Sequence, residues 1–134
     1  LYRGVGFTRT ALISGAIWAA WHLPAMAILY FRSGEVTLYH LVMLVITLVS
    51  LSFIFAWLRL ISNSVWPAVI LHTSHATFIG TFDQLTAPSP LSTYLAGDMG
   101  AIVSILMVLI GFAFWRLRPR LKQKEEFEPG LTTI

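Results

Sequence analysis

Cysteine is missing from all 134 residues of this sequence, which excludes disulfides and thiolate metal sites. Charge is also scarce, because only 11% of the residues are Asp, Glu, Lys or Arg, while 57% are hydrophobic. Soluble domains carry about twice that share of charged residues. Together with a mean hydropathy of +0.76, this composition predicts an integral membrane protein.

Four apolar runs account for most of the chain, and each is near the roughly 20 residues that a membrane helix needs. We predict an all-α, polytopic membrane helical bundle with about four transmembrane helices. The third run has Ser64 as a candidate helix cap and Pro67 in its first turn, where a missing N–H costs nothing. The predicted spans lie near residues 11–31, 41–58, 65–82 and 99–115.

Residues 1–115 are predicted to form one membrane-embedded helical domain, followed by a basic and then acidic tail at 116–134. The sequence begins with Leu1 and enters an apolar run almost at once, so we expect the C-terminal part of a larger domain. Lys and Arg concentrate on the cytoplasmic side of membranes. A cytoplasmic tail agrees with that rule for every basic residue except Arg32, and it favours the plasma membrane.

The net charge of +3 is explained by this topology and by attraction to anionic membrane lipid, so no nucleic-acid partner is expected.

His22, His72 and His75 all lie within predicted spans. Ionisable residues inside a membrane are costly and usually face a functional cavity. A structural role as hydrogen-bonded glue between helices is the alternative. His40, at the end of its span, is expected to lie at the membrane interface.

Two stretches that contain these histidines form a recognisable pattern. In "AIWAAWHLP", Trp18 stands four positions before His22, and "NSVWPAVILHTSH" contains His72. They resemble motifs of the CAAX protease and bacteriocin-processing family, also called Abi. That family combines a glutamate pair followed by arginine, an aromatic residue four before a histidine, and a histidine four before an asparagine. Ala76 occupies the asparagine position here, and Arg3 in "LYRG" matches the arginine.

The resemblance implies an intramembrane endopeptidase that acts on a peptide or a prenylated protein. A glutamate would polarise water, and His22 and His72 would bind or orient it. His75, three residues after His72, would either flank the same cavity or point to a neighbouring helix. The glutamates are expected just before Leu1. Ala76 cannot donate a hydrogen bond, so the oxyanion role of the asparagine would pass to His75, a water or a neighbouring hydroxyl. The candidate hydroxyls belong to Thr73 and Thr77.

His22 and His72 could act as ligands of a divalent metal such as zinc, or as hydrogen-bond partners of a water in a metal-free mechanism. Two histidines and a glutamate would match the ligand count of a catalytic zinc site. No H-E-x-x-H motif is present to decide between the two.

No predicted span contains a carboxylate, because Glu35, Asp83 and Asp98 fall in loops or at their edges. The chain by itself is therefore expected to be inactive as a protease. A non-catalytic membrane scaffold or bacteriocin-immunity protein with the same fold is one alternative. A bis-histidine membrane site for haem or another metal is the second.

Overall fold

The computed structural model describes residues 2–33, 36–85 and 89–121, so most of the predicted tail lies outside the described residues. Within these ranges the chain consists of helices joined by short turns, as predicted, and no strand is found. The helices are α1 (Tyr2–Val5), α2 (Phe7–Ser33), α3 (Leu38–Ser62), α4 (Trp66–Leu85), α5 (Pro90–Leu95) and α6 (Ala101–Arg116).

The four long helices fall on the four predicted spans, with ends that differ by a few residues. In the described part of the chain, three stretches are long and apolar enough to cross a membrane: Phe7–Arg32, Leu38–Ser62 and Ala101–Leu121. Helix α4, at 20 residues, has the length of a span. Its two histidines and its hydroxyl side chains make it more polar than the other three.

Helix α3 is the centre of the bundle, since α2, α6 and α4 all pack against it. Successive long helices run in opposite directions. The start of α2 and the end of α6 consequently meet, where the Trp115 indole N–H donates to the Thr8 hydroxyl at 3.2 Å. The same end holds Arg118, whose guanidinium lies 3.6 Å from the centroid of the Trp115 ring.

Two glycines bring helix backbones into close contact with α3. A Cβ on Gly15 of α2 would lie 2.9 Å from the Val49 Cα, and a Cβ on Gly111 of α6 would lie 2.8 Å from the Ser50 carbonyl oxygen. The Ser52 hydroxyl strengthens the first contact by donating to the Ala11 carbonyl at 2.7 Å. Small residues and interhelical hydrogen bonds of this kind hold helices together in lipid, where apolar burial gives no advantage.

The N-terminal end of α3 contacts α5 through His40. The Thr37 N–H donates to His40 Nδ1 at 3.0 Å, so Nε2 carries the proton and donates to the Thr93 carbonyl at 3.2 Å. The His40 ring also stacks on Tyr94. His40 is only 3% exposed and lies in the first turn of α3, so it stands at the end of its span as expected, and its place at the membrane interface stays a prediction. Its role is to join two helix ends.

The chain from α5 to α6 descends into the bundle. The Asp98 carbonyl lies 3.2 Å from the Thr47 hydroxyl, and Thr47 is about 14 Å along α3 from its first residue, at about 1.5 Å per residue. Irregular backbone at such depth requires its polar groups to be satisfied. The turn meets this requirement, since the Gly100 N–H donates to the Gly97 carbonyl at 3.0 Å.

We expect Gly15→Ala to destabilise the bundle, because its methyl group would meet Ser52 Oγ at 2.7 Å and backbone at 2.9 Å. Overpacking of this kind costs about 1–3 kcal/mol. The free energy of unfolding, measured by titrating micelles with a denaturing detergent, checks the prediction. Gly80→Ala on α4 is the control, since nothing lies within 4 Å of its added Cβ. Equal stability of the two variants would contradict the close contact.

Candidate functional site

Trp18 brings together the two histidines of the sequence motifs. Its ring centroid lies 6.0 Å from that of His22 and 5.3 Å from that of His72, and both rings meet the indole at steep angles. Phe55 of α3 contacts Trp18 at 5.4 Å and His72 at 6.0 Å. The aromatic cluster of Trp18, His22, Phe55 and His72 therefore joins three helices.

The position of Trp18 follows from the packing of α2. Trp18 lies three residues after Gly15, and successive residues three apart share one face of a helix. The close contact of Gly15 with α3 therefore turns Trp18 toward Phe55. The same face continues one turn later to His22, so helical spacing alone places both side chains of the first motif together.

The protonation pattern of His22 is defined by its backbone contact. His22 Nδ1 lies 2.9 Å from the Trp18 carbonyl oxygen. A carbonyl only accepts hydrogen bonds, so Nδ1 carries the proton and the neutral ring keeps a lone pair on Nε2. His22 thereby presents an acceptor or ligand atom, in an orientation fixed by its own helix.

His72 is held differently, because its recorded contacts are the aromatic ones with Trp18 and Phe55. It lies in the second turn of α4, and this helix begins at Trp66, one residue after the predicted start of the span. The Ser64 hydroxyl accepts from the Trp66 N–H at 3.3 Å, and Pro67 occupies the first turn. The His72 side chain is exposed, which leaves its ring nitrogens accessible to a water or a substrate.

His75, predicted to flank the same cavity or to point to a neighbouring helix, contacts a different partner. Its Nε2 lies 3.2 Å from Asp98 Oδ1, and its side chain is only 12% exposed. Asp98 was correctly expected at a loop edge, but the descent of that loop brings its carboxylate to the middle of α4. The structure therefore places a carboxylate one helical turn from His72.

The remaining predicted site residues are less enclosed. The side chains of Thr73, Ala76 and Thr77 on α4 are exposed. Ala76 follows His72 by one turn, so helical spacing places the two on one face. The predicted role of Arg3 concerns a side chain that lies outside the described part of the structure.

A metal ion is only partly accommodated by these residues. His22 and His72 could supply two ligands, whereas a catalytic zinc has three protein ligands and one open position. Within residues 2–33, 36–85 and 89–121, no group of three or more His, Cys, Asp or Glu side chains could hold a metal. The described residues do not form a complete zinc site.

Sequence reasoning missed Phe55 and Asp98. Phe55 stands in a continuous apolar span, where nothing distinguishes it from its lipid-facing neighbours. Asp98 follows Gly97, whose positive φ of 74° marks a tight turn. A Gly-Asp pair directly before an apolar span was the available signal, although it gives no indication of the depth of the turn.

The chain is similar to one family of known proteins over more than half of its length. The family model of type II CAAX prenyl endopeptidases, described as Rce1-like, matches residues 1–78. That segment contains Trp18, His22, His72 and His75, and it ends before Asp98. No curated protein and no solved structure matches the chain significantly.

We expect Trp18→Ala to loosen α2 and α4 from α3, because it removes ring contacts with His22, Phe55 and His72. A buried Trp→Ala change costs about 3–5 kcal/mol, and Trp18 is only partly buried, so about 2 kcal/mol is expected. The measurement is again the free energy of unfolding in mixed micelles. Trp21→Ala is the matched control, since Trp21 is 81% exposed and should cost less than about 0.5 kcal/mol. An equal loss in both variants would show that Trp18 does not organise the cluster.

Proposed function

This chain belongs to the type II CAAX prenyl endopeptidase Rce1-like family, and from that premise we propose that it carries the histidine half of an intramembrane endopeptidase site. The observation that supports the proposal most directly is the aromatic cluster. It gathers His22 and His72 from two helices on one indole and leaves Nε2 of His22 as an acceptor.

In the proposed reaction, His22 accepts a hydrogen bond from the attacking water. Its Nδ1–H remains tied to the Trp18 carbonyl, so the ring keeps its orientation while a proton moves toward Nε2. The water oxygen adds to the scissile carbonyl carbon, the C–N bond then breaks, and the leaving amine takes up the proton from His22 Nε2. A base positioned in this way contributes about 10²–10⁴-fold to a rate.

His72 is proposed to face the developing oxyanion. A neutral imidazole has one N–H donor, and a donor near the tetrahedral oxygen stabilises its charge. Ala76, one turn later, cannot provide such a donor. The exposed hydroxyls of Thr73 and Thr77 lie on the same helix and are the proposed helpers, as is an ordered water.

The carboxylate pair expected before Leu1, with Arg3 beside it, is proposed to polarise the same water together with His22. A divalent metal such as zinc is the proposed alternative to a metal-free site. In that case His22 and His72 would be two of its ligands, and a carboxylate outside the described residues would be the third. A metal would supply Lewis-acid polarisation of the scissile carbonyl.

The proposed substrate is a peptide or a prenylated protein with its cleavage site near the C-terminus. The chain is a multi-pass membrane protein by its family and its apolar helices. Among the arginines whose side chains the structure describes, Arg32 stands at one end of the bundle. The others lie at the opposite end: Arg9, Arg59, Arg116, Arg118 and Arg120. By the positive-inside rule we propose that this second end faces the cytoplasm of a plasma membrane protein.

We expect His22→Ala and His72→Ala to lower peptidase activity at least 100-fold in the full-length protein, because each removes a group proposed to act on the water or the oxyanion. Release of the C-terminal tripeptide from a farnesylated peptide, per folded molecule in detergent, is the measurement. Ser74→Ala, an exposed position on α4, is the control and should leave the rate within about twofold.

Two outcomes would reject the protease proposal. One is normal activity in both histidine variants, and the other is a full-length sequence that lacks the carboxylate pair together with an inactive wild type. The second outcome would favour the scaffold or immunity function. A chelator separates the two chemistries, since loss of activity that zinc restores would identify a metal enzyme.

A further inference from the structure

Helix α4, which carries two candidate site histidines, has few contacts that fix its rotation. Several of its apolar side chains point away from the bundle: Val69, Ile70, Phe78 and Phe82 are 41%, 62%, 69% and 45% exposed. In lipid, an apolar side chain is as well solvated by acyl chains as by a neighbouring helix. Apolar packing therefore discriminates poorly between rotations of α4, and the polar contacts become decisive.

His75 makes a polar contact that can fix the rotation of α4. Its Nε2 lies 3.2 Å from Asp98 Oδ1, and this carboxylate oxygen is itself buried although the Asp98 side chain is 41% exposed overall. Attraction between an imidazole and a carboxylate is stronger in such a place than at a wet surface. The contact is thus well placed to hold α4 against the rest of the bundle.

The backbone of Asp98 is held to α3 directly and to α6 through a chain of two hydroxyl groups. Its carbonyl meets the Thr47 hydroxyl of α3, which in turn lies 2.9 Å from the Ser104 hydroxyl of α6. Thr47 and Ser104 are each 1% exposed. The turn around Asp98 is also tight, since a Cβ on Gly100 would lie 2.2 Å from the Ala96 carbonyl oxygen.

We propose that Asp98 and His75 form a positioning pair that sets the rotation and depth of α4, and thereby holds His72 against Trp18. His72 precedes His75 by three residues, so a rotation of α4 that breaks the pair also moves the His72 ring away from the indole. The catalytic consequence rests on the function proposed above. The positioning itself does not, and it can be measured without activity.

The positioning test uses the absence of cysteine from the chain. In the full-length protein, Trp18→Cys and His72→Cys are combined, and a short bifunctional methanethiosulfonate links them. Because Trp18→Cys removes the indole that contacts His72, the position of α4 then depends more strongly on the contact between His75 and Asp98. We expect Asp98→Ala to lower the yield of linked peptide about tenfold by mass spectrometry, and Asp98→Asn to lower it about twofold, because an amide oxygen keeps a weaker, uncharged attraction for the His75 ring N–H.

A second cysteine pair controls for general unfolding. Thr8→Cys with Trp115→Cys joins α2 to α6 at a contact that does not involve α4, and its linkage should not change with Asp98→Ala. Equal Trp18–His72 linkage in all three Asp98 backgrounds would overturn the proposal. Equal loss at both cysteine pairs would also overturn it, because Asp98 would then support the whole fold.

The kinetic test distinguishes positioning from stability. In full-length protein, Asp98→Ala should lower kcat about tenfold with little change in KM, a typical effect of losing a supporting contact. The exchanged variant His75→Asp with Asp98→His should recover most of kcat. Unchanged kcat per folded molecule would reject the catalytic consequence. An inactive wild type with Asp98-dependent linkage would reject only the proposed protease function.

Discussion

The close approach of α2 to α3 at Gly15 is the contact on which the candidate site depends. A bilayer offers no hydrophobic gain for helix association, so the interface relies on van der Waals contact of backbones and on the Ser52 hydroxyl that bridges to Ala11. Trp18 stands one turn beyond that contact and His22 one turn further. The positions of Trp18 and His22 therefore depend on how closely Gly15 allows the backbones of α2 and α3 to approach.

The second constraint concerns backbone polarity below the membrane surface. The turn before α6 reaches the level of Thr47, where lipid could not satisfy its amide groups. Its glycines allow a tight internal hydrogen bond, and Thr47 and Ser104 supply polar contacts from α3 and α6. These same contacts deliver the Asp98 carboxylate to α4. A segment that would be costly in the bilayer thus has a structural use inside the bundle.

The sequence was sufficient to predict the four long helices, because apolar runs of span length leave few alternatives in lipid. It also indicated Trp18, His22 and His72, since the spacing of one helical turn and the start of α4 at Ser64 and Pro67 are local features. Helix α5 lies between the third and fourth predicted spans, where no helix was predicted. Its signal was Ser89 before Pro90, a cap followed by proline at the first helical position.

The contact between His75 and Asp98 could not be predicted in this way, for a physical reason. Periodicity reports which face of a helix a residue occupies, whereas this contact depends on how far a non-helical turn descends beside α3. That depth is set by the Thr47 and Ser104 hydroxyls and by the two glycines of the turn. Their effect exists only after three helices have assembled. The contact of His40 with Thr93 could not be predicted for the same reason, because Thr93 lies in a distant segment.

The two histidines of the cluster are held by different means, and this difference bears on what each can do. His22 has its proton placed by a backbone carbonyl of its own helix, so its free nitrogen is an acceptor whatever α4 does. His72 depends on ring contacts with other helices and on the rotation of α4. Both proposed roles require a group that is held in place before the reaction, because a preorganised acceptor or donor needs no rearrangement in the transition state. His22 meets this requirement within its own helix, whereas His72 meets it only if α4 is held by its contacts with the rest of the bundle.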